Sequence, residues 1–364
     1  MDEFKPLDWG LYDDVSGVME IRDWGYEGSY ICFRGRLKVP ASEASRELNS
    51  RGGSHGLIAY LRIAGGEELV KFAPINSGRR KNRLFIPVLL FVVTLISTLF
   101  IGALNSGTFA RDILSHPLLL LNGAPFSFTL IIILGLHEFS HYFVSKRYGI
   151  RTSLPYFIPF PNIIGTMGAV IVSRSPFVDR KSLFDVGIAG PLASFVLSIG
   201  AIILGFSGMT LVRISTHILR PEPGLYLGDS LLTTALFWLR YRQIPLGFDI
   251  NLGPIGFAGW VGLFVTGLNL LPMGQLDGGH ISYAIFGRYH KLITRLMMAL
   301  LVLFGILYSS PFWIVIGILV LFLGSRHGPP LDDITPLNPG RVWLAVGALI
   351  ILIICFIPVP IQMI

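Results

Sequence analysis

The chain has 364 residues, 52% of them apolar and only 14% charged, with a mean hydropathy of +0.65. Soluble domains carry roughly 25% charge, so this composition excludes a disordered chain, a coiled coil and a nucleic-acid tail, and argues against an ordinary soluble globule. The net charge of +7 reads as basic residues gathered at membrane surfaces against anionic lipid, because no basic-aromatic pattern of a nucleic-acid footprint accompanies it.

Residues 1–83 hold 25 of the 51 charged side chains. The first part therefore reads as soluble and the rest as membrane. The opening MDEFKPLDWG is acidic and lacks an apolar h-region, so no secretory signal or transit peptide is expected. Residues 28–37 and 56–63 have the β-branched, aromatic and alternating content of strands, and 67–73 reads as another. Between them ASEASRELNSR (41–51) reads as a polar-faced helix. A small soluble α+β domain is thus expected over 1–75, followed by the basic linker NSGRRKNR (76–83). Residues 76–364 are expected to form a transmembrane domain. Cys32 lies in the first part and Cys355 in a late apolar run, which leaves no disulfide framework and no cysteine-rich metal site.

A helix crossing a bilayer needs about 20 apolar residues. Segments 84–103, 126–146, 185–206, 253–272, 292–308, 311–324 and 342–360 are candidates. The fifth and sixth are short and divided only by Ser309, Ser310 and Pro311, so a multi-pass α-helical protein of six or seven spans is expected. YLGDSLLTTALFWLR (226–240) reads as an interfacial amphipathic helix. With the N-terminus inside, cytoplasmic segments carry fourteen Lys and Arg against five on the opposite side. That bias predicts a cytoplasmic N-terminus. Seven spans would then leave the C-terminus outside.

FSFTLIIILGLHEFSHYFVSK (126–146) places His137 and His141 four residues apart, on one face of a helix, with Glu138 beside the first. In this H-E-x-x-H arrangement two imidazoles bind zinc and the carboxylate acts as general base. A carboxylate inside a membrane is costly and marks function. A catalytic zinc usually has three protein ligands. Asp277 follows a long apolar run, in NLLPMGQLDGGH (269–280), where Pro272 and Gly274 would break a helix. A surface turn is the bland reading of Asp277; the need for a third ligand favours the carboxylate as donor. His280 reads as an interfacial histidine rather than a ligand. His116 and His290 read as loop residues. Ser140, Asn269 and Gln275 are candidates for lining a water path.

HEFSH (137–141) together with NLLPMGQLDGG (269–279) resembles the site-2 protease family of intramembrane zinc metalloproteases, over approximately residues 84–290, with a catalytic core over about 126–290. The resemblance implies one zinc ion per chain held by His137, His141 and Asp277, and Glu138 as the catalytic acid/base. It implies site-shaping roles for Asn269 and Pro272. AGPLAS (189–194) resembles another family segment, although Ser194 stands where Asn or Gly is common, so a polar role for it is not expected. The 46 residues of 207–252 are too few for the PDZ domain that many members carry, which points to the PDZ-less branch found in archaea, bacteria and plastids. The implied activity is hydrolysis of peptide bonds in transmembrane protein substrates within the lipid bilayer, in a prokaryotic cell membrane, with no nucleic-acid partner.

A helical substrate hides its carbonyls in i→i−4 bonds and must be bound extended. In LPYFIPFPNIIGTMGAVIVSR (154–174) three prolines exclude an ordinary helix, and IIGTMGAVIVS reads as β and resembles the family's membrane-embedded β-hairpin. Such a strand can pair with an unwound substrate, with Gly165 and Gly168 allowing close backbone approach; a structural strand in a loop is the equal alternative. Two other readings compete. A membrane zincin of the prenyl-protein protease type takes its third ligand from a later Glu, but no Glu follows Glu222. A metal-binding transporter would also place His and carboxylates in broken helices, but no internal repeat is visible.

Overall fold

The computed structural model describes residues 9–75, 84–213, 225–323 and 328–363. The acidic start of the chain, the linker 76–83, Arg220, Glu222 and Arg326 lie outside the described residues. The chain forms two compact units: Met1–Lys81 with Ser175–Leu183 and Gly328–Pro339, and Asn82–Arg174 with Phe184–His327 and Gly340–Ile364.

The first unit contains α1 (Trp9–Val18), β1 (Met19–Glu27), β2 (Tyr30–Leu37), α2 (Ala41–Gly52), β3 (Leu57–Ala64) and β4 (Glu67–Pro74). The strands form one antiparallel sheet in the order β1-β2-β4-β3. Gly65 and Gly66, both at positive φ, make the tight turn between β3 and β4. Neither α1 nor β1 is expected from the pattern. β1 is an edge strand with most residues exposed, so MEIRDWGYE lacks the alternation of a half-buried strand. Leu11, Val15, Phe33, Leu48, Leu61, Val70 and Phe72 fill the core, none more than 1% exposed, each contributing about 1.5–3 kcal/mol by burial. The β3 edge is covered. Leu61 N–H donates to the Leu331 carbonyl and Asp333 N–H to the Leu61 carbonyl, while Leu331 and Asp332 donate to the carbonyls of Phe177 and Val178.

The second unit is mostly helical. It contains α3 (Phe85–Asn105), α4 (Ala110–Ser115), α5 (Ala124–Arg147), β5 (Tyr156–Pro159), β6 (Thr166–Val170), most of α6 (Arg180–Gly205), β7 (Thr210–Arg213), β8 (Leu225–Leu227), α7 (Leu231–Tyr241), β9 (Phe248–Asn251), α8 (Gly253–Asn269), α9 (Asp277–Phe286), α10 (His290–Leu307), α11 (Pro311–Leu323), most of α12 (Pro339–Cys355) and β10 (Ile361–Met363). Among the described residues four helical stretches are long and apolar enough to cross a membrane: Phe85–Asn105, Pro117–Arg147, Arg180–Gly205 and Asp277–Leu307. The helices α8 and α12 have 17 residues each. The inner helix α8 buries Ala258, Trp260, Val261 and Leu263 almost completely.

The helix α5 explains how a polar site fits an apolar span. Phe128, Ile132, Leu136, Phe139 and Phe143 recur at helical spacing on one exposed face, suited to lipid. Leu130, Ile133, Leu134, His137, Glu138, His141 and Ser145 lie on the buried face. Beyond α5 the chain forms an antiparallel pair, with Tyr156 opposite Val170 and Phe157 opposite Ala169. Gly165, at φ +83°, turns this hairpin against α3: Ser97 Oγ donates to its carbonyl at 2.7 Å, and a Cβ there would lie 2.9 Å from the Ser97 carbonyl oxygen. The close approach that Gly165 permits is therefore to α3. A Cβ on Gly168 would meet nothing within 4 Å, although its φ of +99° still disfavours a side chain.

Candidate metal centre

His137 and His141, one turn apart on α5, face Asp277, the first residue of α9. His137 Nε2 and His141 Nε2 are 3.1 Å apart. Asp277 places Oδ2 3.2 Å from His137 Nε2 and Oδ1 3.3 Å from His141 Nε2. Both imidazoles are buried, and the Asp277 side chain is 14% exposed. Among the described residues this is the one cluster of His, Cys, Asp or Glu with converging donors.

The break between α8 and α9 brings the carboxylate there. α8 stops at Asn269, and residues 270–276 form a tight non-helical link in which Pro272 has no N–H to continue the ladder. The two glycines after Asp277 let α9 start against that link: a Cβ on Gly278 would lie 2.0 Å from the Leu270 carbonyl oxygen, and one on Gly279 2.5 Å from that of Gly274. At the start of α9 the Asp277 carboxylate also meets the positive end of the helix dipole.

The outer ring nitrogens fix the inner ones. His141 Nδ1 lies 2.7 Å from the Val186 carbonyl of α6, which can only accept, so Nδ1 carries the proton and Nε2 presents its lone pair inward. His137 Nδ1 lies 3.0 Å from Ser194 Oγ, itself 2.8 Å from Thr266 Oγ1 of α8. Such partners orient metal-ligating histidines and raise their basicity. Ser194 thus has the polar role that its departure from the family pattern argued against. AGPLAS contributes a second feature. A Cβ on Gly190 would lie 2.2 Å from His141 Nε2 and 2.8 Å from His137 Nε2, so the glycine keeps the space before the donors open.

The donor set fits one tetrahedral ion. Nitrogen and oxygen ligands at about 2.0 Å from a tetrahedral metal stand roughly 3.3 Å from one another, close to the separations here. Two imidazoles and one carboxylate leave the fourth position open.

Glu138 and Asn269 flank the three donors. Glu138 Oε1 is 4.0 Å from His137 Nε2, and its carboxylate lies beside the backbone N–H of Ile171. Asn269 Nδ2 is 3.3 Å from His137 Nε2. Pro272 lies in the link before Asp277, and Gly168 lies in β6. His280 stands outside the cluster, half-buried, with its Cβ facing Gly187 of α6. Ser140 gives its hydroxyl to the Leu136 carbonyl, and Gln275 is exposed. His116 lies exposed in a loop. His290 does not: it is buried at the start of α10, within 3.3 Å of Ser282 Oγ and Thr294 Oγ1.

Residues 125–242 and 248–306, which include all three donors, match the model of Peptidase family M50. The chain is similar to this family over that stretch. Relatives of this chain include the probable zinc metalloprotease EGY2, chloroplastic, of Arabidopsis thaliana, 32% identical over 248 residues that span 66% of this chain and 43% of the relative. The probable zinc metallopeptidase EGY3, chloroplastic, of the same plant is 25% identical over 387 residues, spanning 98% and 66%. The chain thus spans 43% to 66% of the length of these relatives.

Proposed function

We propose that the protein is an intramembrane zinc metalloprotease that hydrolyses peptide bonds of transmembrane protein substrates. One observation carries this reading: His137, His141 and Asp277 converge at 3.1–3.3 Å, with the Glu138 carboxylate beside them. When bound, zinc supplies Lewis acidity to a water molecule and to the scissile carbonyl. Glu138 takes the proton of the attacking water on its carboxylate and returns it to the leaving amine. Asn269 offers an amide N–H to the developing oxyanion. Ser194 and the Val186 carbonyl hold the two rings in register throughout.

The β5–β6 hairpin supports an extended substrate. Ser153 N–H donates to the Val172 carbonyl, so residue 172 points to the paired side and Ile171, of opposite parity, to the outer edge. That edge lies beside Glu138 at Ile171. A substrate strand added there would pass the acid/base. In this reading the hairpin is embedded in the membrane, and α8, α11 and α12 join the four long stretches to give seven spans, or six when α10 and the short α11 count as one hairpin. Residues 1–75 form a cytoplasmic domain, an orientation supported by the basic loop bias, and 76–364 form the protease domain in a prokaryotic cell membrane. The relatives are named chloroplastic.

The test uses the purified full chain in lipid with transmembrane peptides. Cleavage is expected, to stop on chelation and resume with zinc, and Gly or Pro near the scissile bond should raise the rate about tenfold or more, since each costs a helix about 1–3 kcal/mol. Indifference to the chelator would remove the metal from the reaction. Indifference to helix breakers would remove strand addition.

A further inference from the structure

The turn of α6 from Val186 to Gly190 does two jobs: its first carbonyl holds His141, and its last residue keeps the donor space open. Its own helical ladder holds it weakly. Pro191 lies inside α6 and supplies no N–H to the Gly187 carbonyl. Something outside the turn must fix its position against α5.

Asp185, directly before Val186, carries that connection. Arg341 of α12 grips it with two parallel bonds, Nε to Oδ1 and Nη2 to Oδ2, both 2.7 Å. Tyr148, which caps the end of α5 about two turns beyond His141, donates its hydroxyl to the same carboxylate. The three groups tie the end of α5, the first turns of α6 and the start of α12 to one point. The pair is partly shielded, with side chains 18% and 23% exposed, and a two-pronged guanidinium–carboxylate contact fixes direction as well as distance. Burial and the bond to Asp185 push the Tyr148 hydroxyl up to about 12, so it keeps its proton through any ordinary assay range.

We infer that Arg341, Asp185 and Tyr148 are positioning residues for the metal centre: they hold the Val186 carbonyl where it orients His141, so that loosening them weakens metal binding without removing a ligand. This rests on the zinc reading above. The side chains that do the holding come from positions 148, 185 and 341, distant in sequence and outside the ligand motifs.

The test measures zinc affinity by chelator competition, and the visible spectrum of the cobalt(II)-substituted protein, for the full chain and for Arg341→Ala, Arg341→Lys and Tyr148→Phe. Arg341→Ala should weaken zinc about tenfold, the lower range for loss of a group that orients a ligand, and alter the cobalt bands. Arg341→Lys keeps the charge without the fork and should recover part of that loss, to about threefold; Tyr148→Phe should also weaken zinc by about threefold. If Arg341→Ala does not fold, the other two variants decide. A lower melting temperature with zinc affinity and cobalt bands unchanged would overturn the positioning role and leave a structural staple. A wild-type chain that takes up no zinc would instead overturn the zinc reading and this inference with it.

Discussion

Glu138→Gln is expected to leave zinc bound and to abolish cleavage. Glu138 Oε1 stands 4.0 Å from His137 Nε2, beside the donors rather than among them, so zinc content should stay at one per chain. An amide of the same shape cannot accept a proton from water at the working pH. General acid–base groups contribute about 10²–10⁴-fold, and turnover should fall by about 10³-fold or more. The amide has the same shape and size as the carboxylate, so the neighbouring hairpin edge keeps its place. Metal analysis and single-turnover cleavage on the same preparation separate the outcomes. Loss of zinc in this variant would make Glu138 a ligand. Retained turnover would assign the proton transfer elsewhere.

Gly190→Ala should be nearly as damaging, although it alters no ligand and no catalytic group. The added methyl would lie 2.2 Å from His141 Nε2 and 2.8 Å from His137 Nε2, inside the contact distance of any pair of atoms. The rings cannot swing away freely, because Ser194 and the Val186 carbonyl hold their outer nitrogens. Helix propensity alone favours Ala over Gly by about 1 kcal/mol, while overpacking costs about 1–3 kcal/mol. Folding should therefore survive while zinc uptake falls by more than about tenfold, the scale of disturbed ligand orientation. Circular dichroism close to wild type with zinc lost is the expected pair of results. Full zinc occupancy and activity in this variant would show that the metal does not use the space before Gly190.

Much of the centre was legible because its chemistry is conspicuous in an apolar chain. Two histidines four apart on a helix share a face whatever surrounds them, and Asp277 stands out after a long apolar run broken by Pro272. The strands 30–37, 57–64 and 67–74 and the helix 41–52 were visible in local alternation and polarity. What the pattern could not show depends on which helices meet. A backbone carbonyl such as that of Val186 has no sequence signature. Ser194 is an ordinary helical serine until α6 lies beside His137, and Gly190 is an ordinary small residue until both rings converge on it. His290 reads as a loop residue because it stands at a span end, yet α9 and α10 close over it. The Arg341–Asp185 pair joins positions 156 apart, and the backbone pairing of Leu61 with residues 331–333 likewise depends on contacts between distant segments.

The most direct measurement is zinc K-edge X-ray absorption on the purified chain and on Asp277→Ala. For the wild type we expect one zinc per chain with two imidazole nitrogens and carboxylate or water oxygens at about 2.0–2.2 Å. Asp277→Ala should bind zinc at least about tenfold more weakly, and the oxygen scattering in whatever zinc remains should change. A wild-type spectrum with fewer than two imidazoles, or identical spectra and zinc content in both proteins, would contradict a centre built from His137, His141 and Asp277.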